Sequence, residues 1–200
     1  MHTHTYHHLF KQGAPGAPLL VTLHGTGGNE TQFHGFAEGL LPQASVLSPR
    51  GDVSEHGAAR FFRRTGEGVY DMADLARATK ALSAFIREIA ANAGTDAVYG
   101  FGFSNGANIL ATMLFEEPDL FQRAALLHPL IPFRPKPQPG LAGRRVLITA
   151  GRRDPICPPP LTDALATYLR EQGAETTLLW HEGGHEIRQP EVDALASLLG

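Results

Sequence analysis

A serine stands within the glycine-rich stretch GFGFSNGAN at residues 100–108. Ser104 has Gly102 two residues before it and Gly106 two residues after it, which gives the pattern G-x-S-x-G. Glycines this close together weaken a strand or a helix, so we expect them to serve a turn in which side chains would clash. The pattern is typical of a nucleophile elbow between a strand and a helix. The sequence therefore predicts Ser104 as a nucleophile.

A serine hydroxyl needs a base to remove its proton, and the base needs a carboxylate to orient it. In chains with this type of elbow, the acid and then the histidine follow the serine. Asp154 follows the apolar run VLITAG, and His185 lies in the glycine-rich loop HEGGHEI. Because both come after predicted strands, their side chains should meet Ser104 at the carboxyl edge of a sheet. We predict a triad of Ser104, Asp154 and His185.

Four other residues are alternatives for these roles. His181 ends a predicted strand, where a packed or solvent-facing histidine is the simpler interpretation. Asp163 falls inside a predicted helix, and Glu182 is too close in sequence to the base. Cys157 lies among prolines, with no elbow or helix N-terminus to lower its pKa, so we expect a packed thiol.

A second glycine-rich stretch, LHGTGGNE at residues 23–30, follows an early apolar run. Glycines let the backbone approach a substrate, and free N–H groups can face developing negative charge. We assign the two oxyanion-hole donors to the backbone amides of Thr26 and Asn105, with His24 bracing the loop. The alternative is a phosphate cradle, but the stretch lacks the third glycine of G-x-G-x-x-G, and no G-K-[ST] follows.

The elements that must position these residues alternate between apolar runs and helical periodicities, which indicates an α/β fold with a mainly parallel sheet. Seven strands are expected, at residues 2–10, 19–24, 44–50, 96–103, 123–129, 144–151 and 175–181. Helices are expected at residues 71–92, 105–116, 160–172 and 190–199. The sequence predicts one doubly wound domain over residues 1–200, with helices on both faces of the sheet.

Two irregular stretches, residues 50–68 and 129–143, interrupt this alternation. In open α/β sheets, ligands bind beyond the carboxyl ends of the strands, where such loops lie. We therefore expect both stretches to wall the substrate site, with Ile131 as a candidate wall residue. Packing of Ile131 in the core or the loop is an equal alternative.

Composition argues against several classes of function. The formal net charge of −3 gives no basic face for nucleic acid, and no apolar run approaches the ~18 residues of a membrane helix. Residues 1–13 lack the basic and apolar regions of a secretory signal, and a single cysteine suits a reducing compartment. We expect a soluble, cytoplasmic protein. The histidines near the N-terminus have no cysteine or carboxylate among them, so we expect neither metal nor cofactor.

Five stretches together resemble the phospholipase/carboxylesterase branch of the α/β-hydrolases, near dienelactone hydrolases and acyl-protein thioesterases. They are LHGTGGNE, SPRGDVSEHGAARFFRR, GFSNGAN, GRRDPICP and GGHEI, in family order over nearly the whole chain. The chain looks most like small bacterial esterases of the MhqD type. The resemblance implies the α/β-hydrolase fold, with a sheet of about seven strands and no cap domain, and it implies the same triad and oxyanion hole.

The resemblance also implies part of the pocket. The family's Arg-x-Phe/Trp loop matches Arg60, Phe61 and Phe62, which implies that these residues line it. Asn105 stands where many relatives have glutamine, a difference that leaves the backbone donor unaffected. Dienelactone hydrolases usually carry a cysteine nucleophile, so Ser104 argues against that activity. Homodimers are common in relatives, so we expect one here.

Together these features predict a serine carboxylesterase that hydrolyses small carboxylic esters through an acyl-enzyme, with a small-molecule ester and water as its partners. A thioesterase or a lysophospholipase-type acyl hydrolase is the alternative, because the same triad cleaves such substrates. A non-catalytic binding protein on this fold is a further alternative, because fold alone does not prove function. Its mark would be a broken triad or a filled oxyanion loop, and the sequence has neither.

Overall fold

The computed structural model describes residues 5–200, in which strands and helices largely alternate. The elements are β1 (His8–Lys11), β2 (Leu19–Leu23), α1 (His34–Leu40), β3 (Ser45–Pro49), β4 (Val53–Glu55), β5 (Ala58–Arg60), β6 (Arg64–Gly66), β7 (Val69–Tyr70), α2 (Met72–Ala93), β8 (Val98–Phe103), α3 (Asn105–Glu116), β9 (Arg123–Leu127), a short 3-10 helix (Pro139–Leu141), β10 (Arg145–Gly151), α4 (Pro159–Glu171), β11 (Glu175–His181) and α5 (Gln189–Leu199).

Seven of these strands form one sheet in the order β1-β3-β2-β8-β9-β10-β11. All neighbours pair in parallel except β1, which runs antiparallel to β3 at one edge. The prediction of seven strands in a mainly parallel sheet is confirmed. The predicted first strand began at residue 2, whereas β1 begins at His8; residues 1–4 lie outside the described part of the chain.

Two apolar cores cover the two faces of the sheet. One contains residues of α2, α3 and α4, and the other contains residues of α1 and α5. Every residue of β2 is buried, because this strand lies near the centre of the sheet with helices on both sides. The continuous apolar runs of the sequence are therefore explained by burial on both faces.

Helix α2 has clear signals at both ends. The carboxylate of Asp71 accepts a hydrogen bond from the backbone N–H of Asp74, which caps the first turn. Gly94 ends the helix in the left-handed conformation, with φ of 72°. These bounds differ by one residue from the predicted 71–92. The other three predicted helices also agree with the structure to within one residue.

Residues 50–68 contain more order than their composition predicts. They form the hairpin of β4 and β5 and the first strand of the hairpin of β6 and β7. Helix α1 was also not predicted, because its sequence HGFAEGL contains two glycines and no sustained apolar stripe. Among the described residues, no helix has both the length and the apolarity needed to cross a membrane.

Candidate active site

Ser104 occupies the sharp turn between β8 and α3. Its backbone has φ of 52° and ψ of −115°, a conformation rarely adopted by residues with a side chain. Its N–H donates to the carbonyl of Leu127, and its carbonyl accepts from the N–H of Asn108. A Cβ at Gly102 would overlap the backbone of Gly106. The glycines of the motif are thus required by the close approach of strand and helix.

Asp154 and His185 meet beyond the ends of β10 and β11. Asp154 Oδ2 lies 2.7 Å from His185 Nδ1, and Oδ1 accepts hydrogen bonds from the backbone N–H groups of Ile156 and Cys157. Burial opposes ionisation of Asp154, but these hydrogen bonds outweigh it and lower the pKa of the carboxyl group. Asp154 is therefore held as a carboxylate beside His185.

The hydrogen bond to Asp154 fixes the orientation of the His185 ring. Because a carboxylate only accepts, Nδ1 of His185 carries the proton and the lone pair of the neutral ring is on Nε2. That Nε2 atom is buried and has no hydrogen-bond partner among the described residues. The His185 residue lines the same cleft as Ser104. This is the arrangement expected of a general base before substrate binds.

The predicted oxyanion donors also border this cleft. Neither the backbone N–H of Thr26 nor that of Asn105 has an acceptor within residues 5–200. Asn105 is the first residue of α3, so its N–H is one of the free donors at a helix N-terminus. Both amides are therefore available to a negatively charged oxygen.

Hydrogen bonds from several directions hold the loop that carries Thr26. The guanidinium of Arg60 donates to Thr26 Oγ1 over 2.6 Å, and the N–H of Gly27 donates to the carbonyl of Ala59. Burial lowers the pKa of His24, whose neutral ring donates to the carbonyl of Gly25 and accepts from the N–H of Gly51. His24 braces the loop, as the sequence predicted.

The cleft has a volume of about 290 Å³, and Ser104, Thr26, Arg60, Tyr70, Leu130 and His185 are among the residues that line it. A larger cavity of about 890 Å³ lies between residues 131–137 and α4, and none of the predicted triad residues lines it. The smaller cleft is therefore the candidate active site, because it contains the groups that can do chemistry.

The other predicted pocket residues lie in different places. Arg60 lines the cleft, although its side chain is only 4% exposed. Phe61 and Phe62 do not line it: they are buried and support it from behind, with Phe61 against His24 and Phe62 against Tyr70. Both phenylalanines follow the end of β5, where the chain bends, and their rings pack into the core instead of facing the cleft. Ile131 lines the larger cavity and also packs in the core.

Cys157 is buried and borders the cleft, and its Sγ lies 3.3 Å from the carbonyl oxygen of His128. Burial, together with the nearby Asp154, raises the pKa of this thiol. A thiol kept protonated is a poor nucleophile, which agrees with its interpretation as a packed residue.

Behind Asp154 lies a cluster that sequence reasoning missed, formed by His128, His181 and Glu191. His128 Nδ1 is 3.0 Å from Asp154 Oδ2, and His128 Nε2 is 3.0 Å from Glu191 Oε1. His181 Nε2 is 3.2 Å from Glu191 Oε2. The one signal for His128 in the sequence is its position at the end of the apolar run RAALL. In the structure Glu191 accepts from the N–H of Arg188, so this residue on its own would be interpreted as a helix cap.

This cluster has spacings that a metal ion could use, since its nitrogen and carboxylate atoms lie within 4.8 Å of one another. The hydrogen bonds favour another interpretation. The N–H of Gly183 donates to His181 Nδ1, which puts the ring proton of His181 on Nε2, facing Glu191. Both ring nitrogens of His128 face carboxylate oxygens at 3.0 Å, which is closer than the 3.4 Å between His128 Nε2 and His181 Nε2. Protons therefore occupy the directions that a metal would need.

Comparison with known proteins gives the family. The chain is 41% identical over 190 residues to MhqD of Bacillus subtilis (strain 168), a protein named as a hydrolase, and the match covers 93% of the chain and 94% of MhqD. The chain belongs to the α/β-hydrolase esterase family of MhqD. No family model matches it.

Solved structures of this family superpose closely on the chain. The protein Atu2452 of Agrobacterium tumefaciens str. C58, whose function is unknown, is 60% identical, with a TM-score of 0.94 and coverage of 97% of this chain and 95% of that chain. A carboxylesterase of Bacillus cereus is 39% identical, with a TM-score of 0.92 and coverage of 97% and 93%. The protein is thus an ester-hydrolysing enzyme with an α/β-hydrolase fold.

Proposed function

We propose that this enzyme is a serine carboxylesterase that cleaves small carboxylic esters through an acyl-enzyme on Ser104. The observation that carries the proposal is the 2.7 Å hydrogen bond between Asp154 Oδ2 and His185 Nδ1, which leaves His185 Nε2 unpartnered in the cleft of Ser104. A histidine oriented in this way can take the proton of a serine hydroxyl, which is what makes the hydroxyl nucleophilic.

In the first step, Ser104 Oγ attacks the ester carbonyl while its proton passes to His185 Nε2. The C–O bond to the serine forms, and the carbonyl oxygen becomes an oxyanion that the amides of Thr26 and Asn105 can bind. Asp154 stabilises the imidazolium that results. His185 then gives its proton to the alcohol as the bond to the leaving oxygen breaks, which leaves the acyl group on Ser104.

In the second step, water takes the place of the alcohol. His185 removes a proton from the water, and the hydroxide attacks the acyl carbonyl over the same oxyanion hole. The bond to Ser104 breaks, the serine recovers its proton from His185, and the carboxylic acid leaves. The two steps need no cofactor, because His185 later returns each proton that it accepts.

The dimensions of the cleft favour small acyl groups. A volume of about 290 Å³ is at the lower limit of ordinary small-molecule pockets. Its apolar lining comes from Phe103, Leu130 and Ile156. We infer that short-chain esters fit and that long acyl chains extend beyond the cleft.

The test combines a fluorophosphonate probe with a series of p-nitrophenyl esters from acetate to decanoate. The wild type should be labelled and should prefer the short esters, whereas Ser104→Ala should lose both labelling and hydrolysis. Ser197→Ala, which removes an exposed hydroxyl of α5, is the matched control and should retain both. Labelling that survives in Ser104→Ala, or a wild type inactive in both assays, would contradict the proposal.

A second assay separates the carboxylesterase from a thioesterase. Phenyl butyrate and S-phenyl thiobutyrate differ in one atom at the scissile bond, so their kcat/KM values compare the two chemistries on one acyl group. We expect the rate enhancement over the reaction in buffer to be similar for the oxygen ester and the thioester. An enzyme that cleaves only the thioester would be a thioesterase.

A further inference from the structure

The cluster behind the acid of the triad continues the line of hydrogen bonds into the core. It runs from His185 to Asp154, then to His128, and from there to Glu191. The side chains of Asp154, His128 and Glu191 have no exposed surface. Charged groups are rarely buried in this way unless they are paired, because water no longer solvates them.

The hydrogen bonds determine the charge of each member. Asp154 accepts two backbone N–H groups and two histidine N–H groups. Glu191 accepts from the N–H of Arg188 and from His128, and its Oε2 lies 3.2 Å from His181 Nε2. A carboxyl group that only accepts is ionised, and a ring between two carboxylates donates from both nitrogens. His128 is therefore an imidazolium, although burial alone would favour the neutral ring.

The directions of the pKa shifts agree with this assignment of charges. Burial opposes the charged form of His128, but the hydrogen bonds from its ring to Glu191 and Asp154 outweigh this and raise its pKa. Burial likewise opposes ionisation of Glu191, and its hydrogen bonds, that from His128 foremost, lower its pKa. The two carboxylates and the imidazolium thus stabilise one another.

The backbone holds His128 in this position. Its φ of 53° lies in the left-handed region, which is unusual for a residue with a side chain. Its N–H donates to the carbonyl of Thr149 on the neighbouring strand, and its carbonyl accepts from Cys157 Sγ. A strained and doubly anchored residue keeps its ring close to one orientation.

We propose that His128, held as an imidazolium by Glu191, is a positioning residue that offsets the negative charge of Asp154 and so sets the pH at which the catalytic base becomes protonated. The inference rests on the proposed function, since it assumes that His185 is that base. His128 and His185 approach the same oxygen of Asp154, and their ring centroids are 5.2 Å apart. A positive charge at this distance makes it harder to place a second one on His185.

Other titratable groups also face these two rings. Those facing His128 are Asp154 and Cys157 from the loop after β10, His181 from the end of β11, His185 from the loop after β11, and Glu191 from α5. His185 is faced by Asp154, Cys157 and His128. Since the thiol stays protonated, His128 carries the one fixed positive charge in this set.

Glu191→Gln tests the role of the charge while it keeps the hydrogen bonds. The glutamine oxygen can accept from the N–H of Arg188, and its amide can donate to Nε2 of a neutral His128. His128 would still donate from Nδ1 to Asp154, but its positive charge would be gone. The acid limb of the pH profile of kcat/KM should then move upward by about one pH unit, because Asp154 is no longer offset.

Asp74→Asn is the matched control. Asp74 is another buried carboxylate, but its partners are Arg77 and the backbone N–H of Arg63, outside the cluster. Its replacement should lower Tm and leave the acid limb where it is in the wild type. If Glu191→Gln behaves in the same way, with a lower Tm and no shift of the acid limb, the cluster is merely structural and the proposal is overturned.

The protonation of His128 can also be measured in the wild type, which decides the question if Glu191→Gln does not fold. In ¹⁵N-histidine spectra at pH 8, His128 should have protons on both ring nitrogens, and His128→Gln identifies its signals. A neutral ring at pH 8 would overturn the proposal. An enzyme that is inactive towards every ester would instead overturn the proposed function, so the two failures are distinguishable.

Discussion

Polar groups around Asp154, the acid end of the site, have hydrogen-bond partners, whereas several polar groups around Ser104, the serine end, have none. Each oxygen of Asp154 accepts two hydrogen bonds, and Glu191 is wholly buried with its own set of donors. At the serine end, the amides of Thr26 and Asn105 and the Nε2 atom of His185 have no partner among residues 5–200.

This difference separates two tasks of the same site. The acid end sets charges in place during folding, so they need not reorganise when the reaction occurs. In the proposed mechanism, the serine end keeps its donors and its acceptor for atoms of the substrate, and neighbouring groups only brace the loops that carry them. Substitutions at the two ends should therefore fail in different ways.

Apart from Ser104→Ala, the largest effect is expected from Asp154→Asn. An amide can still hold the ring of His185, but it removes the charge that stabilises the imidazolium and favours the wrong tautomer. We expect kcat to fall by about 10⁴-fold, measured with a short p-nitrophenyl ester. Asp163→Asn, on the exposed face of α4, is the control and should have wild-type activity. A loss of less than tenfold in Asp154→Asn would mean that another group orients the base.

A smaller effect is expected at the serine end from Arg60→Met. This change removes the 2.6 Å hydrogen bond to Thr26 Oγ1 but not the amide of Thr26 itself, so the donor remains and is less well placed. We expect kcat to fall about tenfold with KM nearly unchanged, since loss of a whole oxyanion donor costs ~10²–10³.

Arg64→Met provides the comparison for Arg60, because Arg64 lines the same cleft but bonds to Glu55 and not to Thr26. It should leave kcat within about twofold of the wild type. A rise in KM with unchanged kcat in Arg60→Met would instead favour the substrate-binding role that the sequence predicted for Arg60.

The buried charges at the acid end should also affect how the stability of the fold changes with pH. The pKa values of Asp154 and Glu191 are lowered by folding, so their contribution is present above about pH 4 and is lost as the pH falls through the folded values. The pKa of His128 is raised, so its contribution is complete below about pH 6.5 and is lost as the pH rises through the folded value. Tm measured across this range should decline on both sides, and Glu191→Gln should flatten the alkaline side. An unchanged alkaline side in the variant would contradict the assignment.

The smallest effect is expected far from both ends. Asp71→Ala removes the cap of α2 and should lower the free energy of unfolding by about 1 kcal/mol, as measured by urea denaturation. Activity per folded molecule should not change, which makes this variant the baseline for stability loss alone. A drop in kcat would show that α2 is coupled to the cleft.

The strands of the sheet and the positions of Ser104, Asp154 and His185 at strand ends could be predicted because their signals are local. Each is an apolar run followed by glycines or a polar loop, and burial of parallel strands on both faces produces such runs. His128 and Glu191 could not be paired in this way, because they are 63 residues apart and meet only through the packing of α5 on the sheet. The directions of Phe61 and Phe62 likewise depend on tertiary packing.

Cys157 has a consequence for the chemical durability of the enzyme. Its sulfur lies 3.8 Å from Nδ1 of His185, so a bulky adduct there would displace the proposed base. Oxidants and alkylating reagents act on the thiolate, and burial keeps this sulfur protonated. The enzyme should therefore keep working in the presence of hydrogen peroxide or iodoacetamide at concentrations that inactivate thiol-dependent hydrolases.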